Sequence, residues 1–144
     1  MSLLRDIRTA VQAVWTANWP HPATYPVHWA DNSLPVVPEP ADDPHWLELE
    51  LSYGTDQVRA YGAGRLSNER LQSGSVVIRV FAAAGAGENT ALDLLSDAVA
   101  TLRSRRDGAL SFIGAIANLD GDSPLDGNWW VRTAVVAFEY RHAG

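Results

Sequence analysis

The chain contains no cysteine and no lysine, so all eleven of its basic residues are arginine. The missing cysteine excludes a disulfide framework, a thiolate nucleophile and a cysteine-based zinc site. The missing lysine excludes a phosphate loop of the Gly-x-x-x-x-Gly-Lys-Ser/Thr kind. Neither residue is present for covalent catalysis, and no Gly-x-Ser-x-Gly elbow occurs. No stretch approaches the ~18 uncharged apolar residues of a membrane span. The opening Met1-Ser-Leu-Leu-Arg-Asp lacks a basic region followed by a long apolar run. The chain reads as soluble, intracellular and not membrane-bound. Its net charge of −6 disfavours a nonspecific DNA binder, which needs basic side chains to neutralise phosphates.

What is present is ordinary globular material. With 47% hydrophobic and 19% charged residues over 144 positions, residues 1–144 form one domain that is not disordered. Ser2 is placed to cap a first helix ending near Trp19, where Pro20 stops it; Leu3, Ile7, Val11 and Val14 make its inward stripe. Residues 20–44 hold seven of the eight prolines, with Val27-His28-Trp29 as a short strand, and read as a structured connector. His45–Tyr53 alternates as a strand, with Leu47, Leu49, Leu51 and Tyr53 on the core face and Trp46, Glu48, Glu50 and Ser52 on the other. Gly54 is expected to end it. Gln57–Tyr61 reads as a weaker strand, Gly62–Gly74 as a polar loop, and Val76–Ala82 as a strand. A helix from about Glu88 to Arg106 follows, with Ala91, Leu92, Leu95, Val99 and Leu102 buried, and Thr90 with Asp93 as its capping box. Strands near Leu110–Ile116 and Trp129–Arg141 complete the order α-β-β-β-β-α-β-β. This is an α+β fold, a mixed and mostly antiparallel sheet with two helices packed on it.

Several motifs resemble sites. Gly85-Ala-Gly87 lies between a strand and a helix, as a phosphate cradle does, but no βαβ repeat surrounds it; it reads as a structural joint. His21, His28 and His45, with Asp31, Asp42 and Asp43, lack the spacing of a preorganised metal site. Asp120–Gly127 has Leu125 and Val131 where a calcium loop needs glycine and glutamate. No catalytic, cofactor or metal residue is assigned, and the chain is not expected to be an enzyme.

Six tryptophans are the remaining signal. Trp129 and Trp130 are adjacent in a strand and point to opposite faces, and Trp46 shares its face with Glu48 and Glu50. Such aromatics mark either a partner surface or a sheet face covered by the same chain.

The order of these segments resembles the tail terminator (tail completion) proteins of long-tailed, non-contractile phages. The resemblance covers most of the chain. It rests on Val27-His-Trp29, Trp46-Leu-Glu-Leu-Glu-Leu51, Arg70-Leu-Gln-Ser-Gly74, and Val76-Val-Ile-Arg-Val-Phe81 leading into Ala84-Gly-Ala-Gly-Glu88 and its helix. It closes on Asp126-Gly-Asn-Trp-Trp130 and Val135-Val-Ala-Phe-Glu-Tyr140. The connector Asp31–Pro44 is longer and richer in proline than that pattern. The resemblance implies a structural virion protein of a phage, prophage or gene transfer agent. Such proteins form a hexameric ring that caps the tail tube, ends its polymerisation and offers a docking face to the head-side connector. Their partners are further copies of themselves, the major tail tube protein and the connector or neck protein. DNA passes through the lumen without specific binding. Such a protein is assembled in the host cytoplasm and resides at the head-proximal end of the tail. Arg65 and Arg70, with Trp46, Trp129 and Trp130, are the expected interface residues, and Glu48 and Glu50 are candidates for facing the lumen. A head–tail connector, or a small α+β ligand-binding or hydrolytic domain, are the alternative readings.

Overall fold

A computed structural model describes residues 2–29, 45–60, 68–83, 88–116 and 129–143. The elements are α1 (Leu3–Asn18), β1 (Val27–Trp29), β2 (His45–Ala60), β3 (Glu69–Ala83), α2 (Glu88–Leu102), β4 (Arg106–Asp107), β5 (Leu110–Ile116) and β6 (Trp129–Ala143). The six strands form one sheet in the order β1-β2-β3-β6-β5-β4. Among the described residues, only β1 and β2 pair in parallel; the other pairs are antiparallel. The α+β class with two helices on a mixed, mostly antiparallel sheet is as expected.

Local chemistry sets the helix ends. The Arg5 N–H donates to Ser2 Oγ at 3.4 Å, which satisfies a first-turn donor, and Asp6 sits where the helix dipole favours an anion. Trp19 takes an extended ψ of 122°, and Pro20 follows it. α2 ends at Leu102, short of the expected Arg106. Ser104, with φ of 61°, breaks it in the left-handed conformation common at helix ends. Arg103, Arg105 and Arg106 therefore lie beyond the helix. Thr90 stands inside the first turn of α2, where it cannot cap it.

Both helices lie on one face of the sheet. Ile7, Val11, Val14 and Trp15 of α1 and Ala91, Leu94, Leu95, Ala98, Val99 and Leu102 of α2 are buried against that face. The expected α2 stripe thus shifts, with Leu94 and Ala98 buried and Leu92 half-buried. From the sheet come Leu47, Leu49, Val76, Ile78, Val80, Leu110, Phe112, Ala134, Val136 and Phe138. Each large aliphatic side chain removed from water there contributes about 1.5–3 kcal/mol before entropy is charged against it. α1 reaches both margins of the sheet. Trp15 meets Trp29 of β1 edge-on, and Ala13 and Ala17 face the turn beside β4.

The strands differ from expectation at one place, for a definable reason. Gly54 does not end β2, and the two strands expected at 45–53 and 57–61 are one. Tyr53 pairs with Gly74 and Asp56 with Gln72, so Gly54 and Thr55 stand opposite Ser73 alone, a β-bulge. The buried Gln72 amide donates to Gly54 O at 3.0 Å and to Ser73 O at 2.8 Å. These bonds satisfy carbonyls that the bulge takes out of the ladder. Accordingly Glu69–Gly74, expected as loop, belongs to β3. Gly74 is required by close approach, since a Cβ there would lie 2.5 Å from Phe138 Cζ and 2.6 Å from Ser52 O. The two-residue strand β4 was not expected. Gly108, at φ 58°, forms its turn to β5, as two-residue hairpin loops with glycine first require. The observed order is α-β-β-β-α-β-β-β.

Candidate functional site

The sheet face away from the helices carries three distinct zones. At the start of β2 and β6 is a small apolar cluster of Trp46, Phe81 and Val131, with Ala83 against it. Trp46 and Phe81 stack with centroids 4.1 Å apart, and the ring of His28 meets Trp46 edge-on. Trp46 is only 1% exposed. An aromatic so placed is part of its own domain's packing, which is where the expected interface residue Trp46 is found.

Beside this cluster, Arg79 of β3 lies between Glu48 and Glu50 of β2. Its Nη1 donates to Glu48 Oε1 at 2.9 Å and to Glu50 Oε2 at 3.0 Å. Burial alone would lower the Arg79 pKa, but its bonds and charge contacts with Glu50 and Glu48 outweigh this and hold it above the ordinary guanidinium value. The side chain of Glu48 is 17% exposed and that of Glu50 48%. The two candidate lumen acids thus share one cation. Alternation showed the acids; the cation came from register, because Glu48 pairs directly with Arg79.

Further across, Val77, Val135 and Ala137 are half-buried on the same face. β5 adds Ile113 and Ile116, 57% and 62% exposed. A second bulge at Ile113, between the pairs Phe112–Phe138 and Gly114–Ala137, lets both isoleucines point to this side. β4 pairs only with Ser111 and Leu110, so the outer edge of β5 from Ile113 onward has no strand partner among the described residues. An open edge bearing large apolar side chains is a ready pairing surface.

On the helix-side face, past the bulge, β2, β3 and β6 run on together. There the Asp56 carboxylate receives Arg70 Nε at 3.1 Å on one oxygen and stands 2.8 Å from His142 Nε2 through the other. Burial alone would raise the Asp56 pKa, but hydrogen bonds from His142 and Arg70, with their charges, hold it below the usual carboxylate value. The expected interface residue Arg70 is thus engaged within its own sheet. Arg65, Gly85–Gly87, Asp31, Asp42, Asp43 and Asp120–Asn128 lie outside the described residues, as does the side chain of Trp129. Trp130 is half-buried, with the Arg132 guanidinium 5.2 Å from its ring centroid.

The histidines of the connector are separated by aromatic packing. His21 Nε2 is 2.9 Å from Asp97 of α2, and His45 packs against Tyr25. Trp15 and Trp19 stack at 4.7 Å, and with Tyr25 and Trp29 they line a cleft of about 240 Å³ at the β1 edge. No group of three or more metal-ligating side chains converges among the described residues. Among the described residues, no helix is long and apolar enough to cross a membrane.

No known family model matches the chain, and no curated protein matches it. One solved structure, of a protein bearing no functional name, overlays 92% of this chain and 95% of its own at 15% identity and a TM-score of 0.46. A likeness of that degree carries no argument about function.

Proposed function

We propose that the chain is a tail terminator: a structural virion protein whose copies form a hexameric ring on the tail tube. The ring ends tube polymerisation and docks the head-side connector, and DNA passes through its lumen without specific binding. The observation that carries this reading is the open β5 edge with Ile113 and Ile116 exposed, on a sheet face that neither helix covers. An assembly subunit needs such a surface, because its apolar area is completed only by a neighbour. Sizing with light scattering over a concentration series, alone and with tail tube protein, tests the proposal. Ring-sized particles are the expected result. A chain that stays monomeric at every concentration and never orders with tube protein refutes it.

A further inference from the structure

From the end of α2 through β4 the chain turns through residues 103–108, Arg-Ser-Arg-Arg-Asp-Gly, all exposed. Arg105 Nε donates to Thr101 O at 2.8 Å, close to the end of α2, where the helix dipole favours a cation. That accounts for Arg105 but not for Arg103 or Arg106, whose guanidinium groups form no ion pair among the described residues. Arg141 of β6, also exposed, donates from Nη2 to Gly108 O at 3.4 Å and brings a fourth guanidinium to the turn. A chain with a net charge of −6 thus gathers four of its eleven arginines at one margin of the sheet. Like charges so grouped repel one another, and an arriving anion relieves that repulsion.

The two sides of the turn differ in charge. On its β5 side lies a hollow of about 230 Å³ in which Glu69 and Glu139 stand with Arg106 and Arg141, so negative charge offsets positive there. On its α1 side lies a cleft of about 420 Å³ bordered by Ser104, Arg105 and Arg106, with Asp107 as the one carboxylate among its described lining residues. Ala13 and Ala17 form the α1 wall of that cleft, and their short side chains leave room for a ligand to reach the guanidinium groups. The excess positive charge is therefore on the α1 side.

The composition of the turn selects the kind of anion. Residues 103–108 include no apolar and no aromatic side chain. A protein partner docks on a surface with an apolar centre, and single strands stack on aromatic platforms. A polar and strongly positive surface instead matches duplex phosphates, which accept from arginine and serine side chains and from backbone N–H groups. Arginine also grips phosphate oxygens bidentately, so the absence of lysine is no obstacle here.

We propose that the Arg103–Arg106 turn is a contact for the phosphate backbone of duplex DNA, with Arg103, Arg105 and Arg106 as the phosphate-binding side chains. The contact reads no base, and the acidic balance of the rest of the chain keeps it weak in a single copy. It goes beyond the ring reading and does not depend on it; a ring would multiply the contact by avidity.

Fluorescence anisotropy of a labelled mixed-sequence duplex, titrated with the full chain from about 20 to about 200 mM salt, tests it. With three phosphates neutralised, log K should fall against log salt with a slope of about −3. R103Q with R106Q leaves the Arg105 bond to α2 in place. That variant should flatten the slope to about −1 and weaken binding at least about tenfold at about 0.1 M salt. R103K with R106K keeps the charges and should keep the slope. Circular dichroism reports folding, and R106Q alone, with a slope of about −2, replaces the glutamine pair if that pair fails to fold. No binding by the wild type at the lowest salt overturns the proposal. So does a slope that the folded glutamine variant leaves unchanged. Tighter binding of the single strand than of the duplex overturns it in favour of a strand-binding surface. Loss of self-association in the glutamine variant, with no wild-type DNA binding, overturns it too and assigns the turn to an acidic protein surface. Light scattering on the same samples measures the ring separately, so failure of DNA binding leaves that reading standing.

Discussion

His142 of β6 reaches across β3 to place Nε2 2.8 Å from Oδ1 of Asp56 on β2, while Arg70 of the intervening strand holds the other oxygen. Three strands are thus tied through one carboxylate at their outer ends. Asp56→Ala should cost about 1 kcal/mol or less, as part-exposed ion pairs do. Its clearer sign should be faster amide exchange in residues 56–60, 69–72 and 140–143, with the α1–α2 core unchanged.

The same carboxylate sets an acid response. Its folded pKa is lowered. The stability it contributes is therefore complete above the ordinary carboxylate value of about 4 and is lost as pH falls through the lowered one. Thermal melts from pH 2 to 6 should show a shallower acid decline in Asp56→Asn than in the wild type. Parallel curves would show that the pair contributes nothing.

Tyr53 Oη donates to Leu4 O at 3.0 Å and tethers the start of α1 to β2. Burial raises the Tyr53 pKa more than the nearby Arg8 lowers it. A raised acid contributes stability that is complete below its unfolded value of about 10 and is lost as pH rises through the folded one. Tyr53→Phe should cost about 1 kcal/mol at neutral pH, and its deficit should shrink as the wild type is titrated alkaline. Urea unfolding at pH 7 and above pH 10 measures both.

Gly74→Ala should be the most damaging small substitution on β3. Its methyl group meets both the Phe138 ring and the Ser52 carbonyl, and the latter is backbone that cannot rotate away. A loss of about 3 kcal/mol is expected from overpacking, read as a lowered urea midpoint at unchanged slope.

Trp46→Ala should destabilise the isolated domain by about 3–5 kcal/mol. A double-mutant cycle with Phe81→Ala should return a coupling of about 1 kcal/mol from the stacked rings. A variant as stable as the wild type, defective only in assembly, would return Trp46 to the interface.

The helices and the face of β2 were legible because stripe and alternation are local properties. Ile7, Val11 and Val14 recur at helical spacing, and Leu47 and Leu49 at strand spacing. The continuity of β2 was not, since Gly54 reads as a terminator until Gln72, eighteen residues on, bonds its carbonyl. Alternation assigned Trp46 and the two glutamates to one face correctly. It could not show that β3 brings Phe81 to one and Arg79 to the others, because the neighbour is chosen by register. The Asp56–His142 contact spans 86 residues and leaves no local trace.

The bulge at Gly54 and Thr55 has one more consequence. A strand reverses its facing every residue, and the extra position is what turns Asp56 toward His142 and Arg70. Paired without the bulge, the same sequence would set Thr55 opposite Gln72 and send the Asp56 carboxylate to the opposite side, away from both partners. The outer half of β2 is therefore governed by counting more than by chemistry. Its facing is set by Gly54 and Thr55 standing together opposite Ser73, whatever side chains line the strand.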